Sequence, residues 1–218
     1  MRRMISAFVL AASLSAIASA QTPEGFTSLF NGKDLTGWKA TGNPKVWGAD
    51  ADKQILFVEG GGGGWLMTEK QYANFEIRLE YKMPKQGNSG VALRTPLPDA
   101  KSKGWDPAYI GMEIQLLDDA NWKNLQVWQH TGSIYNVVPA KKVNTKAFGE
   151  WNTIRIVAKG PRILVENNGE ELVDANLKDY EKEHAKRHPG ILRDTGHLGL
   201  QSYNYRVEFK NIFVKSLD

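Results

Sequence analysis

An all-β fold of two antiparallel sheets is predicted, and three features of the sequence carry it. Apolar and polar residues alternate with period two through many short runs. Turn-forming pairs such as Asn168-Gly169 stand between those runs, and no stretch shows a strong 3.6-residue apolar period. Short alternating strands separated by turn signals specify an antiparallel sandwich or barrel, with one face of each sheet buried.

The first residues stand apart from the fold. Arg2 and Arg3 open the chain, an apolar run follows, and Ala18-Ser19-Ala20 supplies a small-x-small cleavage site. That is the grammar of a secretory signal peptide, with an apolar run too short to span a bilayer. Cleavage before Gln21 is expected and leaves 198 of the 218 residues as one domain, 21–218, periplasmic or secreted. Removing the two arginines lowers the formal net charge from +4 to +2, so nothing favours a nucleic-acid partner. No later apolar stretch is long enough for a membrane span. The chain has no Cys, which removes thiol catalysis, thiolate metal sites and disulfides. Stability must come from the core, and a domain of this length can bury roughly 70% of its unfolded surface.

The clearest strand is 75–83, where Phe75, Ile77, Leu79, Tyr81 and Met83 alternate with polar residues. Further strands are predicted at 54–58, 89–95, 110–117, 133–138, 151–158, 162–166, 170–173, 196–201 and 206–214. Asn168-Gly169 is a hairpin turn requiring positive φ. Val207 and Phe209 share a parity that Ile212 and Val214 abandon, which predicts a bulge at Lys210-Asn211. Residues 177–188 read as a solvated connection, with a short helix as the alternative. The five glycines 60–64 read as a flexible loop before a backbone laid close to a ligand.

Parity also separates a core face from a second, unusual face. Ile110, Met112, Ile114 and Leu116 oppose Gly111, Glu113 and Gln115; Val91 and Leu93 oppose Asn88, Gly90, Ala92 and Arg94. Leu198 and Leu200 oppose Gln201 and Tyr203, and Ile134 opposes Ser133 and Tyr135. Small residues beside long polar ones suit a sheet against which a ligand lies. Trp105, Tyr109, Trp122 and Trp128 sit in the flanking loops, either stacking on sugar C–H faces or closing the ends of the sandwich.

These residues are assembled in an order that resembles a known family. Asn31-Gly32-Lys33-Asp34-Leu35-Thr36-Gly37-Trp38, Gly64-Trp65-Leu66, Asn88-Ser89-Gly90-Val91 with Arg94, and 111–118 (Gly-Met-Glu-Ile-Gln-Leu-Leu-Asp) carry the first half. Thr131-Gly132-Ser133-Ile134-Tyr135, Gly149-Glu150-Trp151-Asn152, Gly199-Leu200-Gln201 and Phe209-Lys210-Asn211-Ile212 carry the second. The pattern is similar to the family formerly called domain of unknown function 1080. That resemblance implies a concanavalin A-like lectin/glucanase jelly roll and 3-keto-glycoside chemistry: 3-keto-disaccharide hydrolysis, or 3-keto-α-glucoside 1,2-lyase with 3-keto-2-hydroxy-glucal hydratase activity.

Glu113-x-Gln115-x-x-Asp118 also resembles the Glu-x-Asp-x-x-Glu strand of jelly-roll glucanases, with Gln in place of the middle acid and a shorter last acid. Retaining hydrolysis needs two carboxyl groups about 5–5.5 Å apart, and this pattern is poorly equipped for it. A 3-keto sugar asks for less. Its ketone acidifies the C2 hydrogen; a base removes that proton, a donor stabilises the enolate, and an acid protonates the leaving O1. Glu113 is assigned as base, Arg94 at the enolate oxygen, and Asp118 or Tyr135 as acid. Asn88, Gln115, Gln201, Trp105, Trp128 and His130 are assigned to substrate binding. The expected partner is an oligosaccharide or glycoside. A divalent cation could polarise the ketone instead, with oxygen ligands at Asp118-Asp119, a pair that reads first as a solvated acidic loop. His130, His184, His188 and His197 form no recognised metal spacing. A non-catalytic carbohydrate-binding module and a laminarinase-type hydrolase are the alternative readings.

Overall fold

The computed structural model describes residues 21–61, 63–99 and 104–218; the expected signal peptide lies outside them, as does Gly62. In chain order the strands are β1 (Thr27–Ser28), β2 (Trp38–Gly42), β3 (Trp47–Asp50), β4 (Ile55–Val58), β5 (Gly64–Tyr72), β6 (Phe75–Lys82) and β7 (Asn88–Thr95). After helix α1 (Pro107–Ile110) come β8 (Met112–Leu117), β9 (Trp151–Lys159), β10 (Arg162–Asn167) and β11 (Glu170–Asn176). Helix α2 (Lys178–His184), β12 (Gly196–Gln201) and β13 (Val207–Ser216) complete the set.

Two antiparallel sheets result. The larger runs β11-β10-β9-β6-β13-β4-β3, with β1 added beside β13, and the smaller runs β2-β5-β12-β7-β8. Ile77, Leu79 and Ile156 of the larger sheet pack with Val91, Leu93, Ile114, Leu198 and Leu200 of the smaller in one apolar cluster. Each fully buried side chain of this type stabilises the fold by roughly 1.5–3 kcal/mol relative to exposure. Asn168 and Gly169 sit at φ +48° and +80°, the geometry of the tight β10–β11 hairpin. The β13–β6 register shifts between Lys210 and Phe213, with Asn211 at φ +51°, so Phe209 and Ile212 both turn inward as the parity change requires.

Several elements differ from expectation. The strand predicted at 110–117 begins at Met112, because Asp106 and Pro107 start a helical turn: the Asp106 carboxylate accepts from Ala108 N–H at 3.1 Å. Residues 133–138 form a turn with isolated bridges Ile114↔Ile134 and Ile134↔Val138, and Asn136 at φ +58° reverses the chain. Residues 177–188 carry α2 instead of a solvated connection. Within the glycine run, Gly61 and Gly63 stand open in the β4–β5 connection, while two positions are tightly placed. Gly60 packs on the Asn204–Tyr205 backbone and Gly64 opens β5, so close to Thr41 that an added Cβ would stand 2.1 Å from its carbonyl oxygen.

Candidate active site

The outer face of the smaller sheet carries the polar residues that parity assigned to it. On β8, Glu113, Gln115 and Leu117 point outward while Met112, Ile114 and Leu116 enter the core. Register places Gly90 of β7 opposite Gln115 and Ala92 opposite Glu113. Gly90 makes the room that Glu113 occupies: an added Cβ would stand 1.9 Å from Glu113 Oε1. The open edge of β8 is closed by the following loop, with Tyr135 N–H donating to Glu113 O at 2.9 Å and Gln115 N–H to Ser133 O at 3.0 Å. That pairing satisfies the edge and brings Tyr135 to the same pocket.

The pocket holds about 210 Å³. Asn88, Glu113, Gln115 and Gln201 form its polar floor, and Tyr109, Trp122, Tyr135 and Tyr203 contribute rings to its walls. Trp128 packs edge-on against Tyr135, with ring centroids 5.1 Å apart. Asn88 Oδ1, Glu113 Oε1, Gln115 Oε1 and Gln201 Oε1 are buried and have no hydrogen-bond partner among the described residues. Native interiors leave few such atoms unpaired, and here four converge on one small cavity. A hydroxyl can donate or accept, so a polyhydroxylated ligand satisfies the carboxyl and all three amides. Burial, reinforced by the charge of Asp106, raises the Glu113 carboxyl well above the usual carboxylate range. Burial likewise raises the Tyr135 phenol, which therefore keeps its proton at neutral pH.

Four sequence-assigned residues lie elsewhere. Arg94 is nearly fully buried and faces the hairpin ends, donating to Ala73 O at 2.9 Å, Gly160 O at 2.7 Å and Arg193 O at 3.3 Å. The cause is a bulge: between His197↔Thr95 and Gly199↔Ala92, β7 spends one residue more than β12, and Arg94 takes φ +49°. The alternation that held from Asn88 to Ala92 is broken there, so Arg94 ties turns together instead of meeting an enolate. Asp118 also leaves the pocket. With no bulge in β8 it falls on the opposite parity, accepting from Gln86 N–H at 2.7 Å and Asn121 Nδ2 at 3.1 Å. His130 is held by Asp119, Nδ1 to Oδ1 at 2.9 Å, and does not line the pocket. Trp105 borders an adjoining cavity, its indole N–H donating to Pro96 O at 2.8 Å.

The acidic pair 118–119 does not fit a cation. Asp119 accepts from Thr131 N–H and Thr145 Oγ1 besides its contact with His130, and the Asp118 oxygens accept from Gln86 N–H and Asn121 Nδ2. Among the described residues no group of three or more His, Cys, Asp or Glu is placed to hold a metal ion.

Sequence reasoning missed Asp106 and Gln129, both lining the pocket. Asp106 comes in through the four-residue α1, too short for any periodic signal; its one legible mark is Asp-Pro as cap and first helical residue. The segment after α2 braces that helix. His188 Nδ1 lies 3.1 Å from Ala108 O, its ring packs on Tyr109 at 5.0 Å, and Arg187 Nη2 donates to Tyr109 Oη at 3.2 Å.

Residues 25–215 match the model of the 3-keto-α-glucoside-1,2-lyase-like domain. The chain belongs to this family. It is 29% identical to the 3-keto-disaccharide hydrolase of Bacteroides thetaiotaomicron, an alignment covering 89% of this chain and 79% of that protein. A crystal structure of a candidate glycosyl hydrolase from Parabacteroides distasonis superposes with TM-score 0.76 at 31% identity, over 89% of this chain and 95% of that one. A family 16 endo-β-1,3(4)-glucanase shares the fold alone, with TM-score 0.53 and 12% identity over 90% of this chain and 93% of that one. The architecture is thus the lectin/glucanase jelly roll, and the family member is a carbohydrate-acting hydrolase with a glycoside substrate. Among the described residues no helix is long and apolar enough to cross a membrane.

Proposed function

We propose that this family member cleaves 3-keto-glycosides by elimination and hydration, using Glu113 as the base. The observation that carries the reading is the buried Glu113 carboxyl, raised in proton affinity and surrounded by unpaired amide oxygens in a pocket of one-sugar size. At about 210 Å³ the cavity lies below the ~300–1,000 Å³ typical of drug-sized ligands, which suits a single pyranose ring.

In its ionised form, made strongly basic by burial, Glu113 takes the C2 proton that the ketone acidifies, and electron density moves to the C3 oxygen. The amide N–H groups of Asn88, Gln115 and Gln201 hold that oxygen and the neighbouring hydroxyls. With Arg94 committed elsewhere, these neutral donors take over its role. Tyr135 delivers its proton to O1 as the C1–O1 bond breaks. Water then adds across C1 and C2, its hydroxyl going to C1 and a solvent-exchanged proton to C2, and the net result is hydrolysis. Residues 1–20 act as the export signal, and 21–218 form the mature periplasmic or secreted domain.

The test is incubation of wild type and Glu113→Gln with a 3-keto-disaccharide and with its unoxidised parent, followed by mass spectrometry. Wild type should release product only from the keto sugar, and the amide should slow that release roughly 10²–10⁴-fold. Equal cleavage of the parent would restore the glucanase reading, and binding without release would restore the binding-module reading.

A further inference from the structure

A second cavity, about 530 Å³, adjoins the first and shares Asp106, Gln201 and Tyr203 with it. Its wall is aromatic: Trp65 and Trp105 belong to a small apolar cluster on the outer face of the smaller sheet, with Met67 and Ala92. The Trp105 indole N–H is already committed to Pro96 O, which fixes the ring and leaves it as an apolar surface. Thr41 offers nothing further, since its hydroxyl both donates to and accepts from the Trp65 backbone. Gly42, Gly63 and Gly64 lay bare backbone along the other side. Besides Thr41, and Asp106, Gln201 and Tyr203 shared with the first pocket, one buried polar side chain belongs to this cavity alone. Ser202 lines the cavity, is 2% exposed, and its Oγ has no partner among the described residues.

We infer that this cavity is the leaving-group subsite and that it takes a second pyranose ring. The inference rests on the 3-keto-glycoside reading of the first pocket. An apolar aromatic wall suits the C–H face of a sugar, and the unpaired Ser202 hydroxyl and Gln201 amide suit its hydroxyls. An aryl leaving group would fill the wall but leave Ser202 unpaired, at the desolvation cost of a buried polar group. Tyr203, lining both cavities, stands where the scissile bond passes from one to the other.

The experiment compares three 3-keto-glucosides with different leaving groups: methanol, phenol and a second glucose. The readout is the ratio of kcat/KM for the disaccharide to that for the methyl glycoside. Trp105→Ala should lower this ratio about tenfold. Ser202→Ala, which removes no hydrogen bond to any described residue, should lower it about threefold while sparing the phenyl-to-methyl ratio. Unchanged ratios in both variants overturn the subsite, and a phenyl substrate that gains as much as the disaccharide overturns the choice of a sugar. A separate arm measures binding of the disaccharide and methyl glycoside to Glu113→Gln by calorimetry. Tighter binding of the disaccharide, abolished by adding Trp105→Ala, supports the subsite even if wild type cleaves neither substrate, an outcome that would sink only the cleavage reading. Equal or absent binding of the two ligands overturns the subsite.

Discussion

Gly90→Ala perturbs the site through one methyl group. Gly90 is not among the residues at positive φ, so alanine fits its backbone and regains roughly 0.5–1 kcal/mol of strand entropy. The new Cβ would stand 1.9 Å from Glu113 Oε1, 2.7 Å from Cδ and 2.8 Å from Cγ. Optimal heavy-atom separation is ~3.5 Å, so the carboxyl head must retreat by about 1.5 Å. Because the nearest clashing atom is the free end of a flexible side chain, the fold absorbs the change by moving Glu113. Misplacing a reacting group by about 1 Å can cost roughly 10²-fold. The expected result is a kcat/KM on a 3-keto-disaccharide about 100-fold below wild type, with a melting temperature within about 3 °C, since 1 kcal/mol shifts a domain of this size by roughly 2–4 °C. Retention of activity within about threefold of wild type would refute the idea that the Glu113 carboxyl must sit over Gly90.

Arg94→Ala should act on stability. It removes three hydrogen bonds from a buried cation to turn carbonyls, and an expected loss of about 3 kcal/mol would appear as a lower midpoint in urea with kcat of the folded enzyme within a few-fold of wild type. A stable variant with no turnover would return Arg94 to the chemistry. Glu113→Gln should change stability in a pH-dependent way. The folded carboxyl binds its proton more tightly than the unfolded one, so the neutral acid's contribution is complete below pH 4.5 and is lost as pH rises through the raised folded value. Thermal melts should therefore show the glutamine variant gaining on wild type as pH rises, by about 1.4 kcal/mol for each unit by which the folded value exceeds 4.5. A difference independent of pH would contradict the raised value.

Much of the fold is legible because half-buried strands alternate. Strand β6 is plain in the sequence, as are the Asn168-Gly169 hairpin and the β13 bulge, where turn chemistry or a parity switch marks the place. Strand β5 is not, because Trp65, Leu66, Met67 and Thr68 are all buried on both faces and leave no alternation to read. The outer-face residues Asn88, Glu113, Gln115 and Gln201 share one pocket because parity survives unbroken through β8 and the first half of β7. Arg94 lies past a bulge that no local residue pattern announces, and counting by two carried it to the wrong face. Asp106 enters from a single helical turn, whose placement depends on the His188–Ala108 contact across 80 residues. Such long-range bracing has no local signature.

The most direct measurement is hydrolysis of a 3-keto-disaccharide by wild type in D₂O, stopped at early turnover and set against an enzyme-free control. Abstraction of the C2 proton by Glu113, followed by hydration, should place one deuterium at C2 of the released keto sugar in step with bond cleavage. Release of product carrying only hydrogen at C2 would contradict elimination and require direct displacement at C1.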